Sequence, residues 1–396
     1  NMTFKHKFER ISRLPTYVFS EINSMKAFER SRGEDVIDFG MGNPDLATPQ
    51  HIVEKLCETV KDSKTHRYSI SKGILGLRKA QSKYYKRRFN VDLNPQKEVI
   101  VTLGSKEGLA NLASAMSSDG DEVLVPNPSY PIHPYGFIIA GAVVSSLKSN
   151  PDEKFLSKLN EIVSSSKSKV KALILNYPNN PTTTFASLDL FGEVVKICKK
   201  YEVYILSDIA YAEIYFNTPP PSILQVKAAK GIAVEFSSLS KSYSMPGWRI
   251  GFACGNQKLI EALSKIKSYL DYGAFTPVQV AATAALNGPQ DCLNDIRNVY
   301  LSRRDTILSG LKRIGWDNIS IPEGTMFIWA PLPKKYIKIG SLEFSKRLLR
   351  YGKVAVSPGI GFGSDGEGYI RISLVENEHR IRQAVRNIKI FFENNE

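Results

Sequence analysis

From about residue 98 the chain settles into a rhythm of short apolar runs separated by amphipathic stretches. "EVIVTLG" (98–104), "DEVLVP" (121–126), "KALILN" (171–176), "VYILSD" (203–208), "IAVEFSS" (232–238) and "IGFACG" (250–255) are rich in β-branched residues. Each is too short for a helix and stops at Gly, Pro, Asn, Ser or Asp, so each predicts a strand buried on both faces. Between most of them lie segments with apolar positions three and four apart, such as 105–118 and 189–202, which predict helices. This alternation predicts an α/β fold, a mostly parallel sheet sandwiched by helices. In such a sheet ligands gather beyond the carboxyl ends of the strands.

Beyond about residue 285 the rhythm changes. A long charged helical stretch is followed by strand-like "GTMFIWAPL", a helix around 341–351, "KVAVSP", "GYIRISLV" and a terminal helix. This mixture predicts a smaller α+β domain. The first 45 residues hold only "YVFSEI" and "VIDFGMGNPD", too little for a domain. The expected division is a capping segment at 1–45 packing with the small domain, a large ligand-binding domain at 46–285, and a small C-terminal domain at 286–396.

Composition narrows the function classes. With 396 residues, 42% hydrophobic and 23% charged, the chain has the make-up of an ordinary globular protein of two domains. No run of 18 apolar residues predicts a membrane span, and residues 1–15 show no apolar leader. Cys57, Cys198, Cys254 and Cys292 stand far apart, as reduced thiols of a cytoplasmic protein do. The net charge of +14 is spread along the chain, so no nucleic-acid partner is expected. Its densest patch, "KYYKRRF" (83–89), has helical spacing and predicts a solvated helix face. The histidines lack metal-ligand spacing, so no metal is expected. "GFGSDG" (361–366) matches the dinucleotide fingerprint G-x-G-x-x-G, yet a strand follows it where that fingerprint needs a helix.

Candidate chemistry lies just past the apolar runs. After 98–103 comes "GSKEG", where Gly104, Ser105 and Lys106 open a helix whose free amides suit a phosphate; Ser105 as an ordinary N-cap is the alternative. After 171–175 comes "NYPNNPT" with Asn180, which alone reads as a loop. Asp208 closes an apolar strand, where a carboxylate needs a cation or donor unless it merely starts a helix. Tyr211 follows three residues later. "SLSKSYSMPGWRIG" sets Lys241 among hydroxyls, including Ser238 and Ser240, with Arg249 eight residues on inside an apolar run. A lysine with a lowered pKa attacks carbonyls. If the strand ends converge, this set fits pyridoxal phosphate: an aldehyde for Lys241, a ring nitrogen for Asp208, and a phosphate for the glycine turn. In "YIRISL", Arg371 shares a strand face with Tyr369 and Ser373, and its fork suits a carboxylate; a surface arginine is the plainer reading.

At this point the sequence resembles the fold-type I pyridoxal-phosphate aminotransferases of the aspartate aminotransferase superfamily. "SLSKSYSMPGWRIGF" is similar to their lysine signature, and "DFGMGNPD", "HRYSISKGILGLR", "GSKEGL", "PNPSYP", "NYPNNPT", "SDIAY" and "YIRISL" follow the family order along essentially the whole chain. More narrowly it resembles bacterial glutamate–pyruvate aminotransferases and the related LL-diaminopimelate aminotransferases. The resemblance implies that Lys241 holds the cofactor aldehyde and then moves the substrate's α-proton. It implies that Asp208 keeps the ring nitrogen protonated, that Tyr211 and Asn180 bond the ring oxygen, and that Tyr130 stacks on the ring. Ser105, Lys106, Ser238, Arg249 and, ranked lower, Ser240 would hold the phosphate. Tyr68 would reach it from the neighbouring subunit of a homodimer. Arg371 would bind the α-carboxylate of amino-acid and 2-oxo-acid substrates beside Gly42 and Asn180, with Tyr17 a candidate for substrate contact. One departure stands out: no arginine lies between Lys267 and Gln279, where aspartate-specific members carry one for the side-chain carboxylate.

Overall fold

A computed structural model describes residues 4–165 and 167–394. After a short strand β1 (Ile37–Asp38) come seven that form one sheet: β2 (Val99–Thr102), β3 (Glu122–Asn127), β4 (Val143–Lys148), β5 (Val170–Asn176), β6 (Tyr204–Asp208), β7 (Ala233–Ser238) and β8 (Gly251–Gly255). Their spatial order is β2-β8-β7-β6-β5-β3-β4. Alternate residues serve opposite faces: Leu173, Leu175 and Ile205 pack into one helical layer, and Ala172, Ile174 and Leu206 into the other. Burial on both sides is why these strands read as uninterrupted apolar runs. Strand β4 escapes the sequence reading because its "VVSSLK" run lies at the sheet edge, with only Leu147 buried.

Pairings from β4 through β7 are parallel, whereas β8 runs antiparallel to both β7 and β2. This reversal positions the site. Were β8 parallel, Arg249, two residues before it, would open at the far edge, roughly 16 Å away. Instead Gly251 stands opposite both Ser238 and Thr102, so Arg249 joins the ends of β2, β5, β6 and β7 on one edge.

The smaller unit contains β9 (Phe327–Pro331), β10 (Val354–Ala355), β11 (Ser357–Pro358) and β12 (Tyr369–Ser373). Strands β11-β12-β9 form an antiparallel sheet, and β1 pairs in parallel with β10. Helices Asp291–Arg313, Gly340–Gly352 and Glu378–Asn394 cover it around Trp316, Phe344 and Ile388. From the N-terminal segment, Ile22 packs on Leu349 and Ala355.

Two surface expectations need correction. Helix Leu75–Phe89 buries Tyr84, Tyr85 and Phe89, and Arg88 pairs with buried Glu213 at 2.9 Å. Only Lys83, Lys86 and Arg87 of "KYYKRRF" are exposed, because aromatic positions interleave with the basic ones on a helix. Arg249, in its apolar run, reads from the sequence as a buried arginine, yet its side chain is exposed.

Candidate active site

The strand ends converge on a crevice of about 310 Å³ between the large sheet and the smaller unit. Its walls include Gly42, Ser105, Lys106, Tyr130, Asn180, Asp208, Tyr211, Ser238, Ser240, Lys241, Arg249 and Arg371. Of the residues singled out in the sequence, Gly104 does not line the crevice but lies against the Arg249 guanidinium that does, and Tyr17 lines an adjoining cavity of about 160 Å³ that shares Gly42, Tyr130 and Arg371. Tyr68 is not brought in. It is 84% exposed and stacked on Tyr272 at 4.4 Å.

Lys241 sits in the single helical turn Leu239–Ser242, capped by Ser238, whose Oγ accepts from the Ser240 amide at 3.0 Å. Its Nζ donates to the Gly42 carbonyl at 2.6 Å and lies 5.9 Å from the Tyr211 ring centre. Burial first, then repulsion from Arg371 and Arg249, lowers its pKa from 10.5 to about 8.

Two anion poles flank this amine. At the first, Gly104 is the N-cap of helix Ser105–Met116 and offers no side-chain cap, so the Ser105 N-cap alternative is replaced. First-turn amides have no partner within the helix, and they point outward at its positive end. Gly104 has φ +82°, and a Cβ there would stand 2.1 Å from the Arg249 Nη2. Glycine lets the guanidinium lie against the turn, where it is held by Pro246 O at 2.8 Å and Leu103 O at 3.4 Å. At the second pole, Arg371 in β12 donates to Asn180 Oδ1 at 2.8 Å and Gly40 O at 3.1 Å. Its guanidinium lies between the rings of Phe327 and Phe362, at 4.3 and 4.8 Å. It is buried, pairs with no carboxylate among the described residues, and leaves Nε unbonded. Desolvation lowers its pKa to about 10. A buried cation without a counter-ion is costly and marks a place for an anion.

Between the poles lie a carboxylate and two phenols. Asp208 Oδ2 accepts from His133 Nε2 at 2.8 Å, and Oδ1 accepts from the Ala210 amide at 3.0 Å. The donor demanded by a buried carboxylate is therefore His133, which sequence reasoning passed over; 75 residues separate the pair, and no local spacing signals it. Tyr130 packs edge-on to His133 at 5.8 Å. Burial raises the Tyr211 and Tyr130 pKa values, so both phenols stay protonated. Sequence reasoning also missed Phe327, Phe362 and Gly40 around Arg371. Lys267 was missed as a support: it is fully buried, pairs with Asp271 at 3.0 Å, and also bonds Glu107 in the first turn of helix Ser105–Met116.

An amine of lowered pKa, a buried carboxylate and two cationic anion poles around one crevice can hold a phosphorylated aldehyde and an amino acid together. The family model "Aminotransferase class I and II" matches residues 34–388. The chain is 52% identical over 389 residues to the glutamate-pyruvate aminotransferase AlaC of Escherichia coli (strain K12), covering 98% of this chain and 94% of that one. It is 41% identical over 381 residues to the LL-diaminopimelate aminotransferase of Moorella thermoacetica, covering 96% and 97%. The substrate-bound BacF structure from Bacillus subtilis superposes with a TM-score of 0.90 at 32% identity, covering 98% of each chain. This chain belongs to the class I and II aminotransferase family.

Proposed function

We propose that this aminotransferase uses pyridoxal phosphate to exchange an amino group between L-glutamate/2-oxoglutarate and L-alanine/pyruvate. The single observation that carries the chemistry is the low-pKa Lys241 amine between the two anion poles. The residues fit the cofactor: the uncapped helix start, Ser238, Ser240 and Arg249 suit its phosphate, and Asp208 suits its ring nitrogen. When bound, it supplies an aldehyde for the lysine and a ring that takes up the electron pair released at the substrate α-carbon.

The protein's own groups do the rest. Lys241, uncharged in an appreciable fraction near neutral pH, acts first as nucleophile and then as the base that moves the α-proton. Asp208, fixed by His133, keeps a proton on the ring nitrogen. Asn180 Oδ1 is occupied by Arg371, which leaves its amide NH₂ for the ring oxygen, to which the Tyr211 hydroxyl would donate as well. Tyr130, which lines the crevice, would pack against the ring. Arg371 takes the α-carboxylate as a bidentate pair beside Gly42, with its two flanking phenyl rings excluding water. Lys106 serves the phosphate through its backbone.

Greater similarity to AlaC than to the LL-diaminopimelate enzymes supports the glutamate–alanine reading. The missing arginine in 268–278 argues against strict aspartate use, and Tyr17 in the adjoining cavity is our candidate for side-chain contact. LL-diaminopimelate or aspartate transamination is the second reading; relatives 40–43% identical and named LL-diaminopimelate aminotransferases support the former. We further propose a cytoplasmic homodimer of three-part chains (1–45, 46–285, 286–396). Exposed Tyr68, Ile70, Tyr269, Leu270 and Tyr272 support a partner surface through which Tyr68 reaches the other subunit's phosphate. No described helix is long and apolar enough to cross a membrane.

A panel of amino acids, including LL-diaminopimelate and aspartate, assayed against pyruvate and 2-oxoglutarate tests the reading. The largest kcat/KM for glutamate with pyruvate is expected. A preference for LL-diaminopimelate favours the second reading, and release of pyruvate and ammonia without a 2-oxo acid indicates a β-lyase instead.

A further inference from the structure

The glycine-rich "GFGSDG" run is no dinucleotide site, yet the fold gives it a defined partner. Asn127, the last residue of β3 on the large sheet, reaches across to it. Its Oδ1 accepts from the Asp365 amide at 3.2 Å, and its Nδ2 donates to Ser364 Oγ at 3.1 Å. Two residues on, the Ser129 amide donates to Phe362 O at 2.8 Å. Gly363, at φ +124°, passes so close that a Cβ would stand 2.3 Å from Asn127 Oδ1. On its other side the loop is fixed to the smaller unit: Ser341 N donates to Glu367 Oε1 at 2.6 Å, and Ile360 N donates to Ser341 Oγ at 3.1 Å.

Both clasped segments lead straight into the crevice. Phe362 lies against the Arg371 guanidinium and meets Phe19 and Trp329 edge-on at 5.1 and 5.9 Å. On the large-sheet side, Tyr130 directly follows Ser129 and lines the same cavity. We propose that Asn127 is a positioning residue: by clasping residues 362–365 it holds Phe362 and Arg371 in the geometry that takes the substrate carboxylate. The inference rests on the aminotransferase reading for what binds at Arg371, although the clasp itself does not. Without the clasp, the smaller unit spends part of its time displaced from β3, and apparent affinity falls by the fraction no longer competent.

The test compares Asn127→Ala, Gly363→Ala, the double variant and Asn127→Asp, which keeps the acceptor for the Asp365 amide. Two readouts are needed: steady-state kinetics with several amino acids, and amide hydrogen exchange over 359–373 in protein without substrate. Either single alanine variant should raise KM for every amino acid roughly tenfold, the scale of a few lost hydrogen bonds, with kcat within about twofold. Exchange at 363–366 should quicken in both. The double variant should be no worse than the worse single one, because both break one clasp, and Asn127→Asp should recover much of the affinity. Faster exchange with unchanged KM overturns the proposal, as does a fall in kcat alone or strictly additive losses. If the unaltered protein transaminates nothing, the functional reading fails instead, and the exchange measurement still reports whether Asn127 holds the loop.

Discussion

The lowered pKa of Lys241 predicts how its amine reacts as pH changes. With a pKa of about 8, the amine is neutral in roughly one molecule in ten at pH 7; at the ordinary 10.5 the fraction is roughly three in ten thousand. The structure therefore implies an amine about 300 times more available than a surface lysine near neutrality. Trace arylation of the cofactor-free protein with fluorodinitrobenzene, which has no titrating group of its own, measures this when the adduct on the Lys241 peptide is quantified by mass spectrometry. Labelling should rise about tenfold per pH unit up to pH 8 and level off above it. Repulsion by Arg371 is the largest charge contribution after burial, so Arg371→Met should move the inflection upward. A profile still climbing at pH 10, or an inflection unmoved in Arg371→Met, refutes the reasoning. The sign also fixes a stability trend. The folded protein binds fewer protons here than the unfolded chain between pH 8 and 10.5, so this lysine's contribution to stability increases as pH rises through that window. The charged amine's cost, about 3 kcal/mol, is full below pH 8.

Further outcomes follow from the neighbouring groups. Arg371→Ala should raise KM for every amino acid about a hundredfold or more, because two charge-assisted bonds to the shared carboxylate are lost; an effect confined to one substrate counts against that role. Gly104→Ala puts a Cβ into the Arg249 guanidinium at a positive φ, and should weaken pyridoxal phosphate binding at least tenfold in an equilibrium titration. Lys267→Met strands the Glu107 and Asp271 carboxylates and should lower stability by about 3–5 kcal/mol in urea unfolding, with much of the loss recovered in the Glu107→Gln/Lys267→Met pair.

The sequence exposes those features that are local. Buried strands show as apolar runs, and Lys241, Asp208 and Gly104 stand at their ends, so the wall of the crevice is legible from the rule that ligands meet strand termini. The Arg371 anion pole is legible only as an arginine in an alternating strand; what makes it a pole is burial between Phe327 and Phe362, contributed from elsewhere in the chain. His133 and the Lys267–Glu107 pair are invisible for the same reason, since the partners lie 75 and 160 residues apart. The orientation of β8 is also hidden, because a fully buried strand has the same composition in either direction. That orientation brings Arg249 to the edge that Lys241 occupies, so the motif's two cations face one crevice only once the sheet is known.

The most direct test of the account is to load the protein with pyridoxal phosphate, reduce it with borohydride, and map the modified peptide. The account predicts a single phosphopyridoxyl group on Lys241, with Lys241→Ala binding the cofactor reversibly and without turnover. Modification at another lysine, or an unchanged rate of transamination in Lys241→Ala, contradicts it.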